Sequence, residues 1–356
     1  MRAAETLGDA SVQSTVRINV YENIPFAGGD GDYSVLSVLF GAHSIGEGIF
    51  GFLSMIDSNK VRVQCRECYQ AVKDFQWMDS RSQIKGSVKA WRAAFPVARK
   101  VNVAGRNDIV DEDLVHIRGD SRVRLHTVNI EGCKRVTDAA FIYLRGIHTL
   151  NMSWCNQETI TDAAFIYLRG IQKLNMSLCN QATITDVAFI NLRGMQFLFM
   201  IGCNQATITN AAFVNLRGIK TLYMDNCNHE TITDAAFVNL RGIKTLYMDN
   251  CNQATITDAA FVHLRGIRML DMTGCNQATI TDAAFEHLRG IRMLDMTGCN
   301  QPTITDAALV NLIGIERLVT EHCSRDVRIA AAQVMGIDYE SEIDEDEDED
   351  EEDNDE

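Results

Sequence analysis

The stretch LRGIRMLDMTGCNQATITDAAF, Leu264 to Phe285, decides the fold, because it recurs almost unchanged from about residue 120 to residue 323. Cysteine marks its period. Cys155, Cys179, Cys203, Cys227, Cys251, Cys275, Cys299 and Cys323 follow at intervals of 24 residues, and Cys133 stands 22 residues before the first. A fixed period of about 20 to 50 residues is the mark of a stacked, quasi-one-dimensional fold. Within the unit, Ile267, Leu270, Met272 and Cys275 are spaced I-x-x-L-x-M-x-x-C. Leu270 and Met272 alternate with Met269, Asp271 and Thr273, the period-two pattern of a short strand with one apolar face. Thr281 then stands where a helix would be capped, and Asp282 suits the positive end of that helix. Arg289 and Gly290 close it, glycine tolerating a left-handed turn. Each coil therefore reads as strand, turn and short helix. A lone coil leaves Leu270, Met272 and Phe285 uncovered, whereas stacked coils bury them.

The unit resembles the leucine-rich repeat, specifically its cysteine-containing subclass, over Val101 to Cys323. The resemblance implies an α/β solenoid, a horseshoe with a parallel sheet on its concave side. The coil with Arg106 in the cysteine place brings the count to ten strands. At about 4.8 Å per strand the sheet would run on the order of 45 Å along its arc. One cysteine per coil forms a line, which suits a column of small buried groups and not a metal centre or disulfides. Free thiols in that number point to a reducing compartment, cytoplasm or nucleus.

Three side chains of each strand point away from the core onto the concave sheet. They are Phe197, Phe199 and Ile201 in one coil, then Thr221, Tyr223 and Asp225, then Thr245, Tyr247 and Asp249. Met269, Asp271 and Thr273 follow, then Met293, Asp295 and Thr297. An apolar triplet extended by tyrosines and methionines is the composition of a partner-binding patch. The aspartates continue beside it as a ladder and favour a partner of basic character. Seven arginines, from Arg145 to Arg289, form another ladder at the helix ends. The helix dipole accounts for them, so nucleic acid is not expected as a partner.

Ahead of the solenoid lies the run IGEGIFGFLSMIDSNKVRVQCRECYQAVKDFQW, residues 45–77. Ile45, Ile49, Phe52 and Leu53 share one face at helical spacing, and Val61, Val63, Cys65, Cys68 and Val72 suggest two further short helices closed by Trp77. This run resembles an F-box. Ile49-Phe50-Gly51-Phe52-Leu53 matches the family's first helix, Asp57 opens the second, and Cys65-Arg66 follows eight residues on, with Tyr69 nearby. Gly41 and Ala42 stand where the family has Leu-Pro. The resemblance implies docking onto the Skp adaptor of a cullin-based ubiquitin ligase, through Ile45, Ile49, Phe50, Phe52, Leu53, Val61 and Val63.

The chain thus divides into an N-terminal segment (1–33), the F-box-like segment (34–78), a connecting helix (79–99), the solenoid (100–323), a cap (324–339) and an acidic tail (340–356). The tail holds fourteen acidic side chains and no basic one, and without it 34 acidic residues face 33 basic ones. Such a tail lacks the apolar residues for a core and is expected to be disordered. No P-loop, dinucleotide glycine pattern, HExxH or nucleophile elbow occurs, so neither an enzyme nor a cofactor is expected. No run of about 18 apolar residues suggests a membrane span. The reading that follows is a non-catalytic substrate receptor of a ubiquitin ligase. The alternatives are a stand-alone binding scaffold whose acidic tail meets basic partners such as histones, and a regulator of an enzyme.

Overall fold

A computed structural model describes residues 58, 66–77, 82–118 and 124–337. Ten three-residue strands form one parallel sheet in sequence order. They are β1 (Lys100–Asn102), β2 (Thr127–Asn129), β3 (Thr149–Asn151), β4 (Lys173–Asn175) and β5 (Phe197–Phe199), then β6 (Thr221–Tyr223), β7 (Thr245–Tyr247), β8 (Met269–Asp271), β9 (Met293–Asp295) and β10 (Arg317–Val319). The sheet is curved and open, with regular coils, as the period of the sequence requires.

The central residue of each strand from β1 to β9 is buried, and the flanking residues are not, which is the alternation read from Leu270 and its neighbours. Behind the sheet most coils send one turn of α-helix into a 3-10 turn, as in Asp258–Phe261 followed by Val262–Leu264, and two carry a 3-10 helix throughout, Asp138–Leu144 and Asp306–Leu312. Thr257 caps that turn, its hydroxyl accepting from the Ala259 N–H at 3.2 Å. Gly290, at φ +80°, makes the left-handed exit read from the Arg-Gly pair. The core is a set of columns: Leu270 from the strand and Met272 just after it, Phe285 and Leu288 from the helical side, all essentially without solvent exposure.

Hydrogen bonds crossing from coil to coil fix the stack. The carboxylate of Asp258 accepts from both the N–H and the hydroxyl of Thr281 in the next coil, each at 2.7 Å. Asp234 does the same for Thr257, and Asp282 for Thr305. Asn210 keeps the fork with its polarity part-reversed, accepting from the Thr233 N–H and donating to its hydroxyl, both at 2.9 Å. These carboxylates, expected from the sequence to be partners of their own helix dipole, each also pin the following coil. The thiols form the expected column. Cys275 Sγ donates to the Met248 carbonyl at 3.1 Å, and Cys251 to that of Met224 at 3.1 Å. Burial pushes the Cys133 thiol up to about 12 and that of Cys155 to about 11, so these remain thiols.

Both ends of the stack are covered. At the start, α1 (Arg66–Asp74) and α2 (Val88–Ala94) precede the first coil. Trp77, Val72, Phe95 and Ala98 form a small separate core, and Trp77 donates its indole N–H to the Val72 carbonyl at 2.8 Å. Arg106, in the cysteine place, reaches back to the carbonyls of Ile84 (2.9 Å) and Gly86 (2.7 Å). At the other end α3 (Arg325–Met335) lays Val327, Ala331 and Ala332 over the last coil and stops at the left-handed Gly336. The helix lies within the stretch 324–339 that the sequence assigns to a cap.

Candidate functional site

The strand register sorts the outward side chains into columns. Phe197, Thr221, Thr245, Met269 and Met293 are paired neighbours in the first, and Phe199, Tyr223, Tyr247, Asp271 and Asp295 in the second. Ile201, Asp225 and Asp249 belong to the loop just beyond the strand ends, where Gly202 N–H donates to the Asp225 carbonyl and Asn226 N–H to that of Asp249, both at 2.7 Å.

The second column carries a stack of rings. Phe199 and Tyr223 lie with centroids 4.2 Å apart and planes at 10°, and Tyr223 and Tyr247 at 4.1 Å and 7°. Strand spacing of about 4.8 Å holds planar side chains in successive strands face to face. Phe197 stands beside the stack, 40 % exposed, while Phe199, Tyr223 and Tyr247 are half-buried. Lys173, which the sequence reading passed over, places its ammonium 5.1 Å from the Phe199 ring centroid and closes one end of the stack. At the other end the Tyr247 hydroxyl donates to the Met269 sulfur at 3.4 Å.

The aspartates do not form the single ladder expected. Asp225 and Asp249 share one column, Asp271 and Asp295 another. The cause is visible in the spacing, 24 residues within each pair but 22 between Asp249 and Asp271. The change of column brings Asp249 diagonally against Asp271. Burial, a hydrogen bond with Asp271 and the charges of Asp271, Asp225 and Asp295 push the Asp249 carboxyl up to about 8. Burial chiefly, then the charge of Asp271, raises Asp225 to about 6, against the lowering effect of the Asp249 N–H that donates to it at 3.2 Å. Asp271 accepts from the Thr273 hydroxyl at 2.8 Å, and Asp295 from the Thr297 hydroxyl at 2.7 Å. Oδ1 of Asp249 is buried without a donor.

Two features of the helical side complete the surface. The arginine ladder bonds forward to neutral acceptors, as in Arg217 Nε to Asn239 Oδ1 at 3.0 Å and Arg241 Nε to His263 Nδ1 at 3.2 Å. Beside it runs an exposed aliphatic row that includes Ile142, Ile166, Ile190, Val214, Val238 and Val262. Each follows a buried phenylalanine, and that regular neighbour was the signal available in the sequence. The adaptor-docking set Ile45, Ile49, Phe50, Phe52, Leu53, Val61 and Val63 lies outside the described residues. Among the described residues no His, Cys, Asp and Glu side chains gather in a metal-holding group, and no helix is long and apolar enough to cross a membrane.

Residues 217–277 match the family described as leucine rich repeat. Among solved structures, the chain is similar to the glycosylated form of the Toll–Spatzle complex of Drosophila, at 15 % identity and a TM-score of 0.54, covering 72 % of this chain and 35 % of that one. It is also similar to the TLR13–ssRNA13 complex, at 17 % identity and a TM-score of 0.50, covering 65 % of this chain and 37 % of that one. The chain thus spans only about a third of the length of these structures, and the likeness is one of fold, the leucine-rich repeat solenoid. No curated protein matches the sequence.

Proposed function

We propose that this protein is a non-catalytic recognition module that binds a partner protein on the concave sheet. The observation that carries this reading is the aromatic face itself. Phe197, Phe199, Tyr223 and Tyr247 stand together on the surface of three adjacent strands, with Met269 and Met293 continuing the apolar strip. Aromatic side chains of this kind are costly to leave wet and are enriched where partners bind. They sit on strands, the most rigid part of a coil, so little ordering is needed when a partner arrives. Panning a random-peptide display library against the full chain tests this, with the Tyr223→Ala/Tyr247→Ala double variant as counter-selection. Peptides that require the two rings are expected. A selection that yields none, from a variant whose circular dichroism is unchanged, would remove the reading.

A more specific version is supported by the F-box-like register of residues 45–77. In it the N-terminal segment docks on a Skp-type adaptor of a cullin-based ubiquitin ligase, and the concave sheet holds the substrate. Pull-down of purified Skp adaptor by the full chain is then expected to be saturable and to drop at least about tenfold in a Phe52→Ala/Leu53→Ala variant, the loss typical of removing central apolar anchors. Absence of adaptor binding by the folded chain removes the ligase role and leaves the recognition role standing.

A further inference from the structure

The ring stack ends differently on its two sides, and this difference identifies the partner's chemistry. On the Phe199 side the chain supplies its own cation, Lys173, over the ring. On the Tyr247 side the next outward groups are the carboxylates of Asp271 and Asp295, with Asp225 and Asp249 beside them. The hydrogen bonds that Asp225, Asp271 and Asp295 receive come from the Asp249 N–H, Thr273 and Thr297, all neutral donors. Ion pairs among the described residues join Arg106 to Asp108 and Arg292 to Glu316, and none reaches these four carboxylates. Lys220, Lys244, Arg268 and Arg292 lie at the opposite ends of the strands, each one residue before its strand begins, and Arg317 opens β10 beside Met293, in the column away from Asp271 and Asp295.

Resting on the concave-face reading, we propose that the strip from Phe197 to Asp295 takes up an extended protein segment bearing arginine or lysine. The aliphatic stems lie across the aromatic ladder and the cations settle among the four carboxylates. Long cationic side chains combine an apolar stem with a charged head, and the strip offers an apolar floor running into a negative rim. A cation over an aromatic face is attracted by the ring quadrupole, as Lys173 already shows at the near end. The charge also selects against phosphate-bearing ligands, since the ionised carboxylates of the rim repel them.

The titration of these groups fits the same picture. Asp249 is held near 8 and Asp225 near 6 because each is partly buried among other carboxyl groups. The groups facing Asp249 are Asp225 on the preceding coil and Asp271 and Asp295 on the following ones, and the Tyr247 phenol faces Asp225 and Asp271 beside them. An arriving guanidinium or ammonium favours the ionised carboxylate, so binding releases protons and strengthens as pH rises from about 6 to 8.

The ring-dependent peptides from the display selection provide the probe. Measured by fluorescence anisotropy on the full chain, they are expected to be rich in arginine or lysine. They are expected to weaken by about tenfold or more in Asp271→Asn/Asp295→Asn, and to bind severalfold tighter at pH 8 than at pH 6. The acidic tail is present in every variant, so its attraction for basic peptides cancels from the comparison. Ring-dependent peptides that are neutral or acidic, or that ignore the asparagine substitutions, overturn this inference and leave the concave-face reading intact. If no peptide depends on the rings, both readings fall together.

Discussion

Replacing Phe237 with alanine is expected to lower the free energy of unfolding by about 3–5 kcal/mol. Phe237 is fully buried, as are Phe213 and Phe261 at the corresponding places of the coils before and after. The loss has two sources. The transfer energy of the ring is forfeited, and the coils above and below, pinned by the Asn210–Thr233, Asp234–Thr257 and Asp258–Thr281 forks, cannot collapse into the cavity. Position along the stack matters as well. In a solenoid each coil is stabilised by its two interfaces, so a defect in the middle weakens both halves, whereas one near an end frays a terminus. The final coil already carries Leu309 in the phenylalanine place, fully buried beneath α3. Phe237→Leu is therefore expected to cost only about 1–2 kcal/mol, the order of a partial volume change. Urea unfolding followed by circular dichroism reads both variants. A Phe237→Ala midpoint within error of the parent chain would mean that the phenylalanine column does not hold the stack together.

That column was legible in the sequence because every coil repeats it, and repetition averages away local exceptions. The strand phase was legible for the same reason: an inward Leu and Met recur at the places of Leu270 and Met272 in coil after coil, while the outward residues between them vary. What a single coil cannot reveal is which side chains reach across to the next. Asp258 looks sufficient as a helix-dipole partner until Thr281, 23 residues on, is seen to donate two hydrogen bonds to it. The diagonal meeting of Asp249 and Asp271 was hidden in the same way, although the 22-residue step between them carries the information. A register that is regular in the core can still shift by one outward position at the surface, because the core constrains only the inward residues. Lys173 escaped notice because its effect depends on the ring one coil later. The aliphatic row escaped because the 3-10 turn directs the residue after each phenylalanine to solvent.

The acidic corner is expected to make the protein less stable as pH rises, and Asp249→Asn is expected to remove that penalty. In the unfolded chain an aspartate titrates near 3.9. In the folded chain Asp249 is raised to about 8. Between those values the native state keeps a proton that the unfolded state has released. The unfolding free energy therefore falls with increasing pH across this window, from full stability near pH 4 to the complete loss near pH 8. Asp225, raised to about 6, contributes in the same direction over the lower part of the window. An unscreened shift of this size would correspond to roughly 6 kcal/mol, and partial exposure to solvent reduces it to on the order of 1–3 kcal/mol. The amide of asparagine does not ionise, so the variant should match the parent near pH 4 and exceed it by about 1–3 kcal/mol at pH 8. Urea midpoints at pH 4.5, 6 and 8 decide the matter, and the tail cancels because both proteins carry it. A difference that stays flat with pH would place Asp249 among ordinary solvated carboxylates. A difference that grows with pH would show that four consecutive coils concede stability at one corner of the sheet, as functional sites commonly do. The cation of a bound partner would restore it, and the same groups would then set both the resting cost and the choice of ligand.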